Sequence, residues 1–115
     1  MPRHVLALDL KDDPELIAQY RAWHRPGIPP QAIGRSIRSA GIDRLEIYLT
    51  GNRLVMVIEA DDHFSLAEKA ERDAVDPDVQ AWETLMWRFQ QALPGAEPRQ
   101  KWVSMEPIYS LAEHP

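Results

Sequence analysis

The 115-residue chain carries 13 Lys and Arg against 18 Asp and Glu, a formal charge of −5, which argues against the broad basic surface that nucleic acid requires. With 44% hydrophobic residues, 27% charged residues and four Trp it has the composition of one folded domain over 1–115, and the lack of cysteine removes disulfides, thiolate metal ligands and cysteine nucleophiles. No apolar run approaches the roughly 18 residues that span a bilayer, and the opening MPRHVLALDLKDD reads as a strand rather than a signal peptide, so no membrane partner is expected and the cytoplasm is the expected location.

Residues 4–10, HVLALDL, alternate Leu6, Leu8 and Leu10 with Val5, Ala7 and Asp9, the period-two pattern of a strand. Asp13 before Pro14 is an acidic N-cap followed by a proline at the first helical position, which predicts a helix over 14–24. Leu16, Ile17, Tyr20 and His24 fall on one stripe of it. The segment PGIPP that follows must interrupt backbone hydrogen bonding, because proline has no N–H and restrains the residue before it. A second helix fits 30–40, with Ile33 and Ile37 four apart and Gly41 as its stop.

In LEIYLTGNRLVMVIEA the residues Leu45, Ile47 and Leu49, then Leu54, Met56 and Ile58, alternate along two strands joined by T-G-N, an antiparallel hairpin. Helix formers dominate from Phe64 to Ala74, and Asp76-Pro77 starts another helix. Its apolar positions Val79, Trp82, Leu85, Met86, Phe89 and Leu93 keep helical spacing up to Pro94. WVSMEPIYSL, 102–111, reads as a last strand in which Pro107 suits an edge or a bulge.

The order β, helical segment, ββ, helical segment, β is that of an α+β, ferredoxin-like antiparallel sheet with helices on one face. The opposite face carries Val5, Ala7, Val55 and Val57, too apolar to be left in water, which predicts a homodimer that covers it.

Four histidines, His4, His24, His63 and His114, form no close-ligand pattern, so no metal is expected. The glycine signatures of dinucleotide, phosphate and serine-hydrolase sites are absent, and no cofactor is expected. His24 lies one turn after Tyr20 at the mouth of the proline-rich loop. It is either a helix-end histidine favoured by the macrodipole or a proton-transfer group working near neutral pH. His63 reads as a surface residue at a helix start. Trp82 and its aromatic neighbours suit a core as well as a ligand platform, and Glu83 is solvated unless it bends into a cleft. Glu46 and Glu106 fall inside predicted strands, where carboxylates face water or a ligand. Imidazole, carboxylates and flat aromatic faces together suit a polyhydroxylated ligand, since hydroxyls need charged acceptors and sugar C–H faces stack on Trp.

From Gly41 to Leu111, and above all in EIYLTGNRLVMVIEA, FSLAEKAERDAVDPDVQAWETLMWRFQQALP and KWVSMEPIYSL, the chain resembles the rhamnose/fucose mutarotase family, nearest its L-fucose branch. The resemblance implies a dimeric α/β barrel that interconverts the anomers of a deoxyhexose without a cofactor, with His24 as proton donor and Tyr20 and Trp82 on the sugar. From the reading of the residues themselves, Glu83, Glu46 and Glu106 are further candidate substrate contacts; Glu83 stands where the rhamnose branch has a second Trp, which favours the fucose branch. Ile28 and Gln31 replace the usual Trp and Glu of the loop, and Leu45 replaces a tyrosine of the rhamnose branch. The acceptor of the hydroxyl proton is Glu46, Glu106 or water. Two other functions fit the same chain: a cofactor-free monooxygenase of this barrel type, and a sugar-binding dimer without catalysis.

Overall fold

The computed structural model describes residues 2–114. Strand β1 (Arg3–Leu10) leads into α1 (Pro14–Trp23), then α2 (Gln31–Ser39), the hairpin β2 (Ile42–Thr50) and β3 (Arg53–Ala60), and helices α3 (Leu66–Ala74) and α4 (Pro77–Trp87). Two short strands, β4 (Gln90–Gln91) and β5 (Val103–Ser104), and a 3₁₀ turn at Leu111–Glu113 complete it. The sheet is antiparallel in the order β2-β3-β1-β4, with β5 also paired to β1, which is the ferredoxin-like arrangement.

The alternating pattern sets the register. Leu6 pairs with Met56 and Leu8 with Leu54, while Ile47 opposes Met56 and Leu45 opposes Ile58, so the leucines, isoleucines and methionine of the three long strands lie on one face. All four helices pack there. Leu10, Leu54, Tyr20, Met86 and Phe89 form one core cluster under α1 and α4, and Leu6, Ile42, Ile58 and Ala60 form a second with Ile37, Phe64 and Leu66 against it. Trp102 touches both clusters.

The helix starts follow their caps. Asp13 Oδ1 accepts from the N–H groups of Glu15 (2.9 Å) and Leu16 (3.2 Å), Ser65 Oγ accepts from Glu68, and Asp76 Oδ1 accepts from Asp78 and Val79. Helix α2 stops at Gly41, whose φ of 95° supplies the left-handed residue expected after a helix.

Three expectations are corrected. Helix α3 begins at Leu66, after its Ser65 cap, rather than at Phe64. Helix α4 ends at Trp87 and not near Leu93: Phe89 N–H bonds back to Met86 in a tightened last turn, Phe89 drops into the core, and Gln90 pairs with Leu10 on the free edge of β1. Tertiary pairing there overrides a helical spacing that continued in the sequence. The last strand is two residues long rather than ten: 103 and 104 pair with β1, the Met105 N–H still reaches the Val5 carbonyl at 2.7 Å, and Pro107 ends the donor supply shortly beyond.

The open face of the sheet also differs in detail from the expectation. Val5, Val55 and Val57 are half-buried, but Ala7 is fully buried, and so is Asp9, which accepts from Arg53 Nε at 2.8 Å and Nη2 at 3.2 Å. The tail beyond β5 leaves the body with Met105, Ile108, Tyr109 and Leu111 exposed, Ile108 at 91%.

Candidate active site

Helix α1 hands its C-terminal turn to the site. The cap residue is His24, and the following Arg25-Pro26-Gly27-Ile28 is a turn closed by the Ile28 N–H on the Arg25 carbonyl at 3.0 Å. Pro26 fits the second position of such a turn and Gly27, at φ 82°, the third, where a positive angle is required. The proline-rich segment therefore fixes the direction in which the chain leaves His24.

His24 Nδ1 lies 2.8 Å from the backbone carbonyl oxygen of Tyr20. A carbonyl only accepts, so Nδ1 carries the hydrogen and Nε2 is the ring atom free to exchange a proton. The two rings are tilted against each other with centroids 4.4 Å apart, and Trp82 meets His24 edge-on at 5.7 Å and Trp23 edge-on at 6.3 Å. Tyr20 is buried in the first core cluster, and Gln90 Nε2 donates to its Oη at 3.2 Å. Burial, which outweighs the Gln90 hydrogen bond, pushes the Tyr20 phenol above its ordinary pKa, so it stays protonated at neutral pH.

These groups converge on a cavity of about 90 Å³ between the sheet and helices α1 and α4, lined by Tyr20, His24, Trp82, Glu83, Gln90, Lys101 and Trp102 over a floor of Ile47, Met56 and Met86. That volume is below the roughly 300–1,000 Å³ of a usual ligand site. Five of its wall residues, Met56, Trp82, Glu83, Lys101 and Trp102, also line a wider groove of about 560 Å³ under α2, α3 and α4. The common walls make the two one site, with a polar end at His24 and an apolar end at Ile33, Ile37, Leu45, Ile58 and Leu66.

Of the residues singled out from the sequence, the structure brings together His24, Tyr20, Trp82 and Glu83. Glu83 accepts from Gln80 Nε2 at 3.0 Å and faces both parts of the site. Glu46 is not there. It opposes Val57 on the other side of the sheet and accepts from Tyr48 Oη at 3.2 Å, because its strand position has the opposite parity to Leu45 and Ile47. Glu106 is exposed on the tail past β5 and lines neither cavity. Trp23 packs on Trp82 at the outer side, beside the exposed Ile28 of the loop. His4 packs edge-on against Phe64 at 5.2 Å, and His63 lies at the turn before α3.

Beyond the apolar floor, three lining residues were not anticipated. Gln90 was hidden in a stretch with helical spacing, and Lys101 and Trp102 in what read as the end of a loop and the start of a strand. Trp102 carried a visible signal: it keeps the parity of Ser104, which pairs with Leu6 on the helix-covered face. Among the described residues no three His, Asp or Glu side chains cluster as metal ligands, and no helix is long and apolar enough to cross a membrane.

Comparison with known proteins identifies the family. Residues 3–111 match a family profile described as L-rhamnose mutarotase. An L-fucose mutarotase of Xanthomonas campestris pv. campestris is 50% identical over 113 residues, which is 98% of this chain and 90% of that protein. Among solved structures, an L-rhamnose mutarotase of Formosa agariphila superposes with a TM-score of 0.67 at 16% identity, covering 96% of this chain and 98% of its own. The tetracenomycin F2 cyclase of Streptomyces glaucescens, a type-II polyketide cyclase, superposes with a TM-score of 0.63 at 18% identity, covering 96% of each chain. The two structural likenesses establish a shared fold.

Proposed function

The chain belongs to the L-rhamnose mutarotase family and is a carbohydrate isomerase, and on that premise we propose that its substrate is L-fucose, with L-rhamnose second. The observation that carries this reading is the 2.8 Å bond from His24 Nδ1 to the Tyr20 carbonyl, which leaves Nε2 as the proton-exchanging atom of a ring that lines a cavity. The half-identical relative named for L-fucose supports the choice of sugar. The apolar end of the groove supports a deoxyhexose, whose C6 methyl needs no hydrogen-bond partner.

Anomer exchange requires the proton to leave the anomeric hydroxyl while another reaches the ring oxygen. In our reading His24, as imidazolium, gives the Nε2 proton to the ring oxygen. The C1–O5 electron pair stays on that oxygen as the bond breaks. Glu83, the one carboxylate among the residues lining the smaller cavity, takes the hydroxyl proton as the O–H pair becomes the C=O bond of the aldehyde. The aldehyde turns about C1–C2, the ring oxygen attacks its other face, and both protons return by the same route. Glu83 replaces Glu46 and Glu106 as the carboxylate candidate because it faces the cavity and they do not. Trp82 offers a flat face for the sugar's C–H groups.

We further propose that the protein works as a cytoplasmic homodimer. The half-buried Val5, Val55 and Val57 of the open sheet face, and the exposed Met105, Ile108, Tyr109 and Leu111 of the tail, support that assembly.

Polarimetry of freshly dissolved α-L-fucose, with L-rhamnose in parallel, tests the function. Faster relaxation to the anomeric equilibrium with L-fucose than with L-rhamnose is expected. Saturable binding with an unchanged rate selects the non-catalytic sugar-binding dimer instead. The polar end of the site, with His24, Glu83 and Lys101, favours a sugar over the apolar aromatic substrate of a monooxygenase.

A further inference from the structure

Gln90 and Asp9 are two buried polar side chains, and each has found a partner. Asp9 is held by Arg53 on the open face of the sheet, as a structural pair. Gln90 is different: its side chain is 6% exposed, lies on the helix-covered face beside Leu10, and lines the cavity that holds His24. Burying an amide is costly unless it is hydrogen-bonded, and its bond runs from Nε2 to Tyr20 Oη at 3.2 Å, across 70 residues of sequence.

The direction of that bond has a chemical consequence. An amide nitrogen only donates, so the phenol oxygen accepts, and the phenol's own hydrogen is left for another acceptor. Among the described residues no protein atom takes it. Tyr20 lines the cavity, where the oxygen of a water or of a bound substrate can accept it. We propose that Gln90 is a positioning residue that, by occupying the acceptor side of the Tyr20 hydroxyl, turns its hydrogen into the sugar site as a fixed donor. The proposal rests on the mutarotase reading and deepens it: Tyr20 holds a sugar oxygen without exchanging its proton, and His24 moves the proton beside it. The burial that keeps the phenol protonated agrees with such a role.

Two variants separate this from simple packing. Gln90→Glu places a carboxylate, an acceptor only, where the donor was, and it captures the phenol hydrogen. Its kcat for L-fucose anomerisation is expected to fall at least about tenfold at neutral pH, the size of one hydrogen bond to a transition state. As the pH is lowered and the new carboxyl takes up a proton, it can donate to Oη again, so the ratio of variant to wild-type kcat rises. Gln90→Met keeps the volume and removes the donor. It loses kcat several-fold, with a ratio that does not change with pH.

A Gln90→Glu ratio that is flat with pH, or a kcat equal to wild type, overturns the proposal. Should Gln90→Glu fail to fold by circular dichroism, Gln90→Met decides, and an unchanged kcat there overturns it. Wild-type enzyme is measured alongside: if it accelerates neither L-fucose nor L-rhamnose, the mutarotase reading falls and takes the proposal with it, whereas an active wild type with indifferent Gln90 variants removes the proposal alone.

Discussion

The His24 imidazole donates from Nδ1 to the backbone carbonyl of Tyr20 one turn earlier, at 2.8 Å, so the residue that anchors the histidine does so with its main chain and keeps its side chain for the cavity. The two functions of Tyr20 are therefore separable. Tyr20→Phe is expected to leave His24 in its Nδ1–H tautomer, read from imidazole nitrogen chemical shifts, while anomerisation slows about tenfold through loss of one donor to the sugar. A change of tautomer in that variant contradicts the anchoring argument.

Tyr20 also predicts an alkaline limit. Its folded pKa is raised above the unfolded value of about 10, so its contribution to stability is complete below that value and is lost as the pH rises through the folded pKa. Tyrosinate absorbance should show a late-titrating component that disappears in Tyr20→Phe, and the variant's stability should fall less steeply than wild type above pH ~10.

Trp82 stands between the loop and the site, edge-on to both Trp23 and His24. Trp82→Ala removes that support and is expected to cost about 3 kcal/mol, the low end for truncating a buried Trp because this one is half-buried. Trp82→Phe should fold near normally and raise KM for L-fucose, since a smaller face covers less of the sugar. Urea unfolding and steady-state kinetics check the two parts.

Much of the fold was legible because one face of the sheet is buried. The alternation of Leu6, Leu8 and Leu10 and of Leu54, Met56 and Ile58 admits one register, and a one-residue slip would turn all of them to water. The Asp13-Pro14 and Asp76-Pro77 pairs marked two helix starts by local chemistry alone. The end of α4 was not legible, since Phe89 keeps helical spacing and its exit is decided by the free edge of β1. Gln90 was lost from the site with it. In the candidate site, the meeting of His24 and Tyr20 was legible from one helix, but the strand carboxylate Glu46 does not line the cavity, because its parity with Val57 rather than Ile47 puts it on the other face.

Gly41 is needed by shape as well as by angle. At φ 95° it follows α2, and a Cβ there would lie 2.5 Å from Asp61 Oδ2, so Asp61, whose N–H also bonds the Gly41 carbonyl at 2.9 Å, would have to move. Gly41→Ala is expected to cost about 1–3 kcal/mol, measured by denaturant unfolding, with the anomerisation rate of the folded fraction unchanged.

The Asp9–Arg53 pair makes a stability prediction of its own. Arg53→Met strands a buried carboxylate and should lower Tm, and replacing the carboxylate as well, in Asp9→Leu with Arg53→Met, should recover part of that loss. A double variant less stable than the single one contradicts the argument.

Saturation transfer between the α and β anomeric protons of L-fucose at equilibrium, for wild type and His24→Ala, tests the central claim most directly. Exchange accelerated by wild type and reduced about 10²–10⁴-fold in the variant is the predicted result, the range for one positioned acid or base; acceleration that survives in His24→Ala would contradict it.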